Sequence, residues 1–377
     1  EPVYLAVDDD EVNIKSAAGL WGQDAYKTYS SLCQLEPSKT SVACIGPAGE
    51  KLVRFACIVV DAHSFAGRCG LGAVMGSKQL KAISVRGTHR VPVYDPKGYK
   101  NLSKQKMREI YAAAEEGLRK HGTPDLCILA ESYGDMPIKN WAGDVWPEGA
   151  AKLGAPNYTQ VLKARPLACV NCPIGCHRQI TVEDEDCSLK GPGPEYETLG
   201  MLGSNLLIDD VKAVAKANDI CNRLGMDTIT AGACIGLAME CFEKGYLTVE
   251  QTDLDLTWGN AEALVEILTQ IGNRTGFGAI FADGTLKAAA NIHPDAQQYV
   301  THVKGMDLPA HDARACWSLG INYATSTRGA CHMRGVTEDV EMGGLFVPEI
   351  GIVEGWSRVF EKENKSDEPP MFKKEEG

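Results

Sequence analysis

The run "ACVNCPIGCHRQ", residues 168–179, places Cys169, Cys172 and Cys176 at C-x2-C-x3-C spacing with Pro173 and Gly175 inside. A chain carrying it must form a tight turn that aims three thiols at one point, and the rest of the fold has to be built around that turn. Three readings are open: three structural thiols, a zinc site, or an iron–sulfur cluster. A zinc knuckle calls for a second C-x-x-C or a histidine pair nearby, and His177, adjacent to Cys176, is expected to point away. The Pro-Gly insert permits a turn whose backbone N–H groups reach sulfide, which favours the cluster. Such a centre takes four ligands, so a fourth is still to be found.

The chain has 377 residues, 44% of them hydrophobic, which suits a globular protein of two or three domains. Its net charge of −12 argues against nucleic acid as a partner, because phosphate binding needs clustered Lys and Arg. It tolerates a small-molecule substrate or a basic redox partner. No apolar run reaches the length of a membrane span, and "EPVYLAVDDDEV" lacks the regions of a secretory signal. A cytoplasmic location is therefore expected, with the 14 cysteines read as reduced thiols and metal ligands, and Cys57, Cys221, Cys234 and Cys241 as buried small hydrophobes.

The expected class is α+β, a mostly β N-terminal segment followed by helix-rich domains. "PVYLAV", "KLVRFACIVV" and "KAISVRG" read as strands within residues 1–95. From Asp95 the pattern turns helical, most clearly in "GYKNLSKQKMREIYAAAEEGLRKHG", read as one helix closed by Gly122. Residues 185–194 read as a loop. Asp209 or Asp210 opens a helix whose apolar face carries Val211, Val214, Ala215, Cys221 and Leu224, and Gly225 ends it; 231–245 and 260–272 read as further helices. The expected units are a β-rich cofactor-binding domain at 1–95, a helical domain with the iron–sulfur and cofactor motifs at 96–305, the start of a second helical domain at 306–360, and a disordered, charged tail at 361–377.

Other stretches carry chemistry. "GPGPEYETLG" (191–200) reads as an extended loop that delivers Glu195 and Glu197. A carboxylate beside a metal centre can act as a general base if burial raises its pKa, although a loop glutamate is more often a solvated charge. "HDARACWSLGINYATSTRGACHMRG" (311–335) brings Arg328, His332 and Arg334 within seven residues, which suits a phosphate-bearing cofactor beside a proton-transfer group. The alternative is a satisfied histidine beside solvent-facing arginines. "AGRCGLGAVMGSK" (66–78) is like a phosphate-cradling loop but fits neither glycine-rich nucleotide motif.

In order along the chain, "GRCGLGAVMGSKQLKAISVRG", "CVNCPIGCHR", "GPEYETLGMLGSN", "ANDICNRLGMDTITAG", "KGMDLPAHDAR" and "ATSTRGACHMRG" resemble the tungsten-containing aldehyde:ferredoxin oxidoreductase family, over about residues 3–355. The resemblance implies a tungsten (or molybdenum) bis-pyranopterin, a 4Fe–4S cluster, and magnesium bridging the pterin phosphates as a further candidate. By it, Cys169, Cys172 and Cys176 match cluster ligands, Glu197 the acidic residue beside the metal, and His332 the histidine of that pocket. Asn222, Gly225 and Asp227 match a pterin-binding turn that commonly begins with Asp. Arg68 matches an arginine on the pterin-diphosphate side, and Arg334 a basic residue two places after the histidine. The family's fourth cluster cysteine sits in a C-terminal turn not found here, and part of its N-terminal region is not matched ahead of Glu1, so the chain reads as a central segment. Lys216-Ala-Asn-Asp219 stands where some members carry an iron-binding Glu-x-x-His, so no such iron is expected. His311 stands where the family often has tyrosine, which puts a simple aldehyde substrate in doubt.

The function implied is oxidation of aldehydes to carboxylic acids, with electrons passing through the cluster to ferredoxin or an iron–sulfur partner subunit, in a homo- or hetero-oligomer. Glu197, His332 and His311 are the candidate catalytic residues. One alternative is a subunit that dearomatises benzoyl-CoA, with His311 and His332 donating protons. The other is a non-catalytic iron–sulfur electron-transfer subunit.

Overall fold

The structure is a computed structural model describing residues 1–183, 188–335, 337–341 and 348–350. The 361–377 tail and part of 306–360 lie outside these residues. The N-terminal region forms a six-stranded mixed sheet from β1 (Val3–Asp8), β2 (Glu11–Ser16), β3 (Ser41–Cys44), β4 (Ile58–Val60), β5 (Ser64–Ala66) and β6 (Leu80–Arg86), in the order β2-β1-β6-β3-β4-β5. Only the β1–β6 pair is parallel; the other neighbours are antiparallel. β1 alternates, with Tyr4 and Ala6 inward, against helix α1 (Ala25–Leu35), which buries Ala25, Thr28 and Leu32. β2 is an edge strand exposed along its length.

Helix α2 (Leu71–Ser77) comes from the glycine-rich stretch. A methyl group on Gly72 would strike the Cys57 carbonyl, and one on Gly76 the Gly49 carbonyl. Both glycines let helix and backbone touch, so their placement is explained by packing.

The helix expected to run on to Gly122 is two helices, α3 (Pro96–Ala113) and α4 (Glu116–His121). Ala114 is extended (φ −69°, ψ 137°), and Arg119 folds back to lie over the Tyr111 ring and donate to the Tyr111 carbonyl at 3.2 Å. Helix α5 (Leu126–Ser132) follows. The expected loop at 185–194 is in part a strand. β7 (Arg165–Leu167), β8 (His177–Glu183) and β9 (Ser188–Pro192) form a second antiparallel sheet. Gly191, Pro192 and Gly193 favour a turn, but β8 offers residues 188–192 a partner along its length.

Four helices build the main core: α6 (Tyr196–Leu202), α7 (Val211–Leu224), α8 (Thr228–Glu243) and α9 (Ala261–Asn273). Asp210 caps α7 by accepting from Lys212 N–H at 2.9 Å, and Gly225 closes it in the left-handed region (φ 74°). α8 is apolar all round and buried from Ile229 to Cys241, as a central helix must be. α10 (Thr285–Ile292), α11 (Trp317–Thr325) and α12 (Thr337–Glu341) follow along the chain.

The sheet meets the helices at the end of α7. The Cys57 amide donates to the Gly225 carbonyl at 2.8 Å and the Asp227 amide to the Phe55 carbonyl at 3.1 Å. Gly46 has no side chain because one would collide with the Leu224 carbonyl. Among the described residues, no helix is long and apolar enough to cross a membrane.

Candidate active site

Glu197 lies in the first turn of α6 and not in the extended loop expected for it. Two glycines set where that turn sits. Gly232 of α8 lets the Met201 carbonyl of α6 approach, since a methyl there would strike it. Gly200 lets the loop around Ala310 lie on α6; a methyl there would stand 2.6 Å from the Ala310 Cβ. The Ala310 amide then donates to Glu197 Oε2 at 2.7 Å, and the Tyr196 hydroxyl to the Ala310 carbonyl at 2.8 Å. Glu197 Oε1 is buried without a hydrogen-bond partner. It faces His332 Nδ1 at 3.3 Å and His311 Nε2 at 3.6 Å.

The two imidazoles lie 4.7 Å apart, tilted by 40°, and their environments differ. His311 Nδ1 contacts Asp135 Oδ2 at 2.6 Å and Glu338 Oε1 at 3.2 Å. Burial disfavours a charged His311, but Asp135, Glu338 and Glu197 outweigh it and hold the ring well above its ordinary value. Burial pushes the Asp135 carboxyl up to about 6, against the pull of His311. For His332, burial wins over Glu197 and the ring sits below its ordinary value. A carboxylate between one held imidazolium and one neutral imidazole is an arrangement for moving protons.

A cavity of about 250 Å³ opens on Glu197, bordered by His63, Phe65, His177, Glu195, Asn222 and Asp227. His177 does not turn away: its Nδ1 is 3.5 Å from Glu195 Oε1. Burial raises the Glu195 carboxyl, and the Thr123 hydroxyl that donates to it opposes this. A second cavity, about 430 Å³, carries Arg54, Arg68, Lys287 and Lys304 beside Asp227 and Asp307. Arg68 donates to the Ala330 and Asp307 carbonyls, and its Nε stands 3.5 Å from Asp227 Oδ2. Asp227 caps α8 through the amides of Ile229 and Thr230 and borders both cavities. Arg328 turns to sulfur, donating to Cys331 Sγ at 2.8 Å. Arg334 is exposed.

The cysteine turn uses positive φ at Asn171 (58°) and Gly175 (64°), and the Cys172 amide donates to the Cys169 carbonyl at 3.0 Å. Amides of Gly175 and Ile174 point at Cys172 sulfur and lower its pKa. Cys176 is raised by burial first, then by Glu195, Cys172 and Cys169. Thiols whose negative charges oppose one another, with amides aimed at sulfur, are a donor set that fits a cationic iron–sulfur group. Among the described residues, the groups of three or more carboxylates, imidazoles and thiols whose ligand atoms all lie within 4.8 Å of one another are Glu197–His311–His332 and Asp135–His311–Glu338.

Behind the turn is buried Arg178, which donates to the carbonyls of Gly175 (2.7 Å), His177 (2.9 Å), Arg119 (3.1 Å) and Leu118 (3.3 Å). Sequence reasoning missed Arg178, Asp135 and Glu338. Arg178 ends the "CVNCPIGCHR" run, but its carbonyl partners are specified only by the folded turn; Asp135 and Glu338 lie in no such motif, and their partner His311 is distant in the chain.

Fold and site together define an α+β protein with a mixed sheet docked on a helical body, its acid–base groups close to that seam. Residues 1–87 match the model for the aldehyde ferredoxin oxidoreductase N-terminal domain, and residues 100–375 that for domains 2 and 3. The chain belongs to the aldehyde ferredoxin oxidoreductase family. It is 37% identical over 343 residues to the tungsten-containing aldehyde ferredoxin oxidoreductase of Pyrococcus furiosus, covering 89% of this chain and 55% of that protein. It is 30% identical over 355 residues to the aliphatic sulfonate oxidoreductase WOR-like subunit of the same organism, covering 88% and 56%. Among solved structures, the active site complex BamBC of benzoyl coenzyme A reductase with 1,5-dienoyl-CoA matches at a TM-score of 0.72 and 26% identity, over 87% of this chain and 52% of that one. The chain spans little more than half the length of these relatives.

Proposed function

We propose that this chain is the core of a tungsten pterin oxidoreductase that oxidises aldehydes to carboxylic acids. Asn222, Gly225, Asp227, Arg68 and Arg334 would hold the pterins, with magnesium at their phosphates. Cys169, Cys172 and Cys176 would hold a 4Fe–4S cluster whose electrons go to ferredoxin or an iron–sulfur subunit. When bound, the tungsten pterin supplies two-electron redox chemistry and the cluster one-electron transfer. Glu197 is the general base: Oε1 takes a proton from the water that adds to the substrate carbonyl, and Oε2 stays anchored on the Ala310 amide. His332, neutral at working pH, accepts that proton at Nδ1 across 3.3 Å. His311 faces the same oxygen from the other side, its Nε2 at 3.6 Å.

The observation that carries this reading is Glu197 Oε1, buried, unpartnered and facing two imidazoles. Glu197→Gln is expected to retain iron and tungsten by elemental analysis while aldehyde oxidation falls at least about 100-fold. Turnover at the original rate would remove Glu197 from the mechanism.

The likeness to BamBC supports a second reading, reduction of an aromatic acyl-CoA, and the imidazolium His311 suits an acid in that direction. Formation of a dienoyl-CoA from benzoyl-CoA, with no oxidation of benzaldehyde, would decide for it.

A further inference from the structure

We propose that Asp135 and Glu338 are positioning residues: together they clamp Nδ1 of His311, turn its Nε2–H onto Glu197, and leave His332 as the imidazole that exchanges protons in the pocket. The placement of three carboxylates around the ring points to this division. Asp135 Oδ2 and Glu338 Oε1 lie 2.6 and 3.2 Å from Nδ1, and Glu197 Oε1 lies 3.6 Å from Nε2. Every ring nitrogen of His311 therefore faces a carboxylate. A neutral ring would set a lone pair against one of them, whereas a doubly protonated ring satisfies both sides.

The clamp is rigid. Asp135 is fully buried at the exit of α5, where its amide donates to the Ala130 carbonyl at 2.8 Å. Its Oδ1 accepts from the Asp312 amide at 2.9 Å, so one carboxylate fixes both the histidine and the residue after it. The Tyr323 hydroxyl of α11 donates to the His311 carbonyl at 2.9 Å, and the Tyr196 ring lies 5.0 Å from the imidazole. Among the described residues, His332, which also feels Arg68, faces the ring as well, and Glu341 of α12 acts on Glu338. Directions of titration agree with the geometry: His311 is held above, and His332 below, the usual imidazole range.

The consequence for turnover rests on the function proposed above; the protonation state does not. The chain holds eight histidines, so carbon- and nitrogen-labelled histidine in the full, anaerobically prepared protein gives few signals, and His311→Gln assigns one of them. His311 should show both nitrogens protonated and unchanged from about pH 5.5 to 8.5. In Asp135→Asn it should acquire a midpoint inside that window. Glu338→Gln, whose side chain is partly exposed, should move it the same way and serves if the Asn variant does not fold. In the pH–rate profile, Asp135→Asn should add a second limb and lower kcat at least about 10-fold with KM within about twofold. A His311 signal that titrates in the unaltered protein, or one that neither variant moves, overturns the clamp. A held imidazolium in a protein inactive on aldehydes leaves the clamp standing and sinks only the assigned reaction.

Discussion

Arg178 is a buried cation with no carboxylate on its hydrogen bonds; Nη1 and Nη2 donate instead to four carbonyls around the cysteine turn. Arg178→Met should cost about 3 to 5 kcal/mol in denaturant unfolding, because those acceptors lose their donor inside the protein, and iron per chain should fall with it. Lysine should not rescue, since an ammonium has only three donors for four acceptors. Asp307 answers to pH. It is buried, accepts from the Thr285 hydroxyl at 2.6 Å, and burial raises it from 3.8 to about 6. A raised carboxyl contributes stability that is full below its unfolded value and lost as pH rises through the folded one. Relative to Asp307→Asn, the unaltered protein should therefore lose about 3 kcal/mol between pH 4 and 7, measured by urea unfolding.

At the scale of elements, α6 carries the carboxylate, and its seat depends on side chains that are not there. Gly200→Ala puts a methyl 2.6 Å from the Ala310 Cβ and pushes away the loop that anchors Glu197 and bears His311. It should cost about 1 to 3 kcal/mol and lower turnover, while Gly87→Ala, with open space around it, should do neither in the same thermal melts and assays. The same scale explains where sequence reading failed. One helix became α3 and α4 because Arg119 satisfies the end of α3 through Tyr111, a contact that no propensity records. Residues 188–192 became β9 because β8 offered a partner, so pairing overrode the glycines and prolines that favour a turn.

For the whole molecule, the seam between sheet and helices decides whether the two cavities exist, since Asp227 borders both and hangs from Phe55. Gly46→Ala sets a methyl against the Leu224 carbonyl, backbone that cannot swing aside, and should cost about 3 kcal/mol or more and lower cofactor content, read by denaturation and metal analysis. Sequence by itself determined the features that local rules govern. Among these are the α7 stripe between Asp210 and Gly225, the all-round apolar α8, the alternation of β1, and the cysteine turn with its positive-φ glycine. Its ordered motifs also carried the family likeness. Only tertiary structure decided that Asp135 meets His311 across 176 positions of chain, that Glu338 joins them, and that Arg178 backs the thiols. Such partners leave no period or spacing behind, because a buried carboxylate is selected by the one imidazole that folding brings to it, and nothing in its own neighbourhood of sequence encodes that meeting.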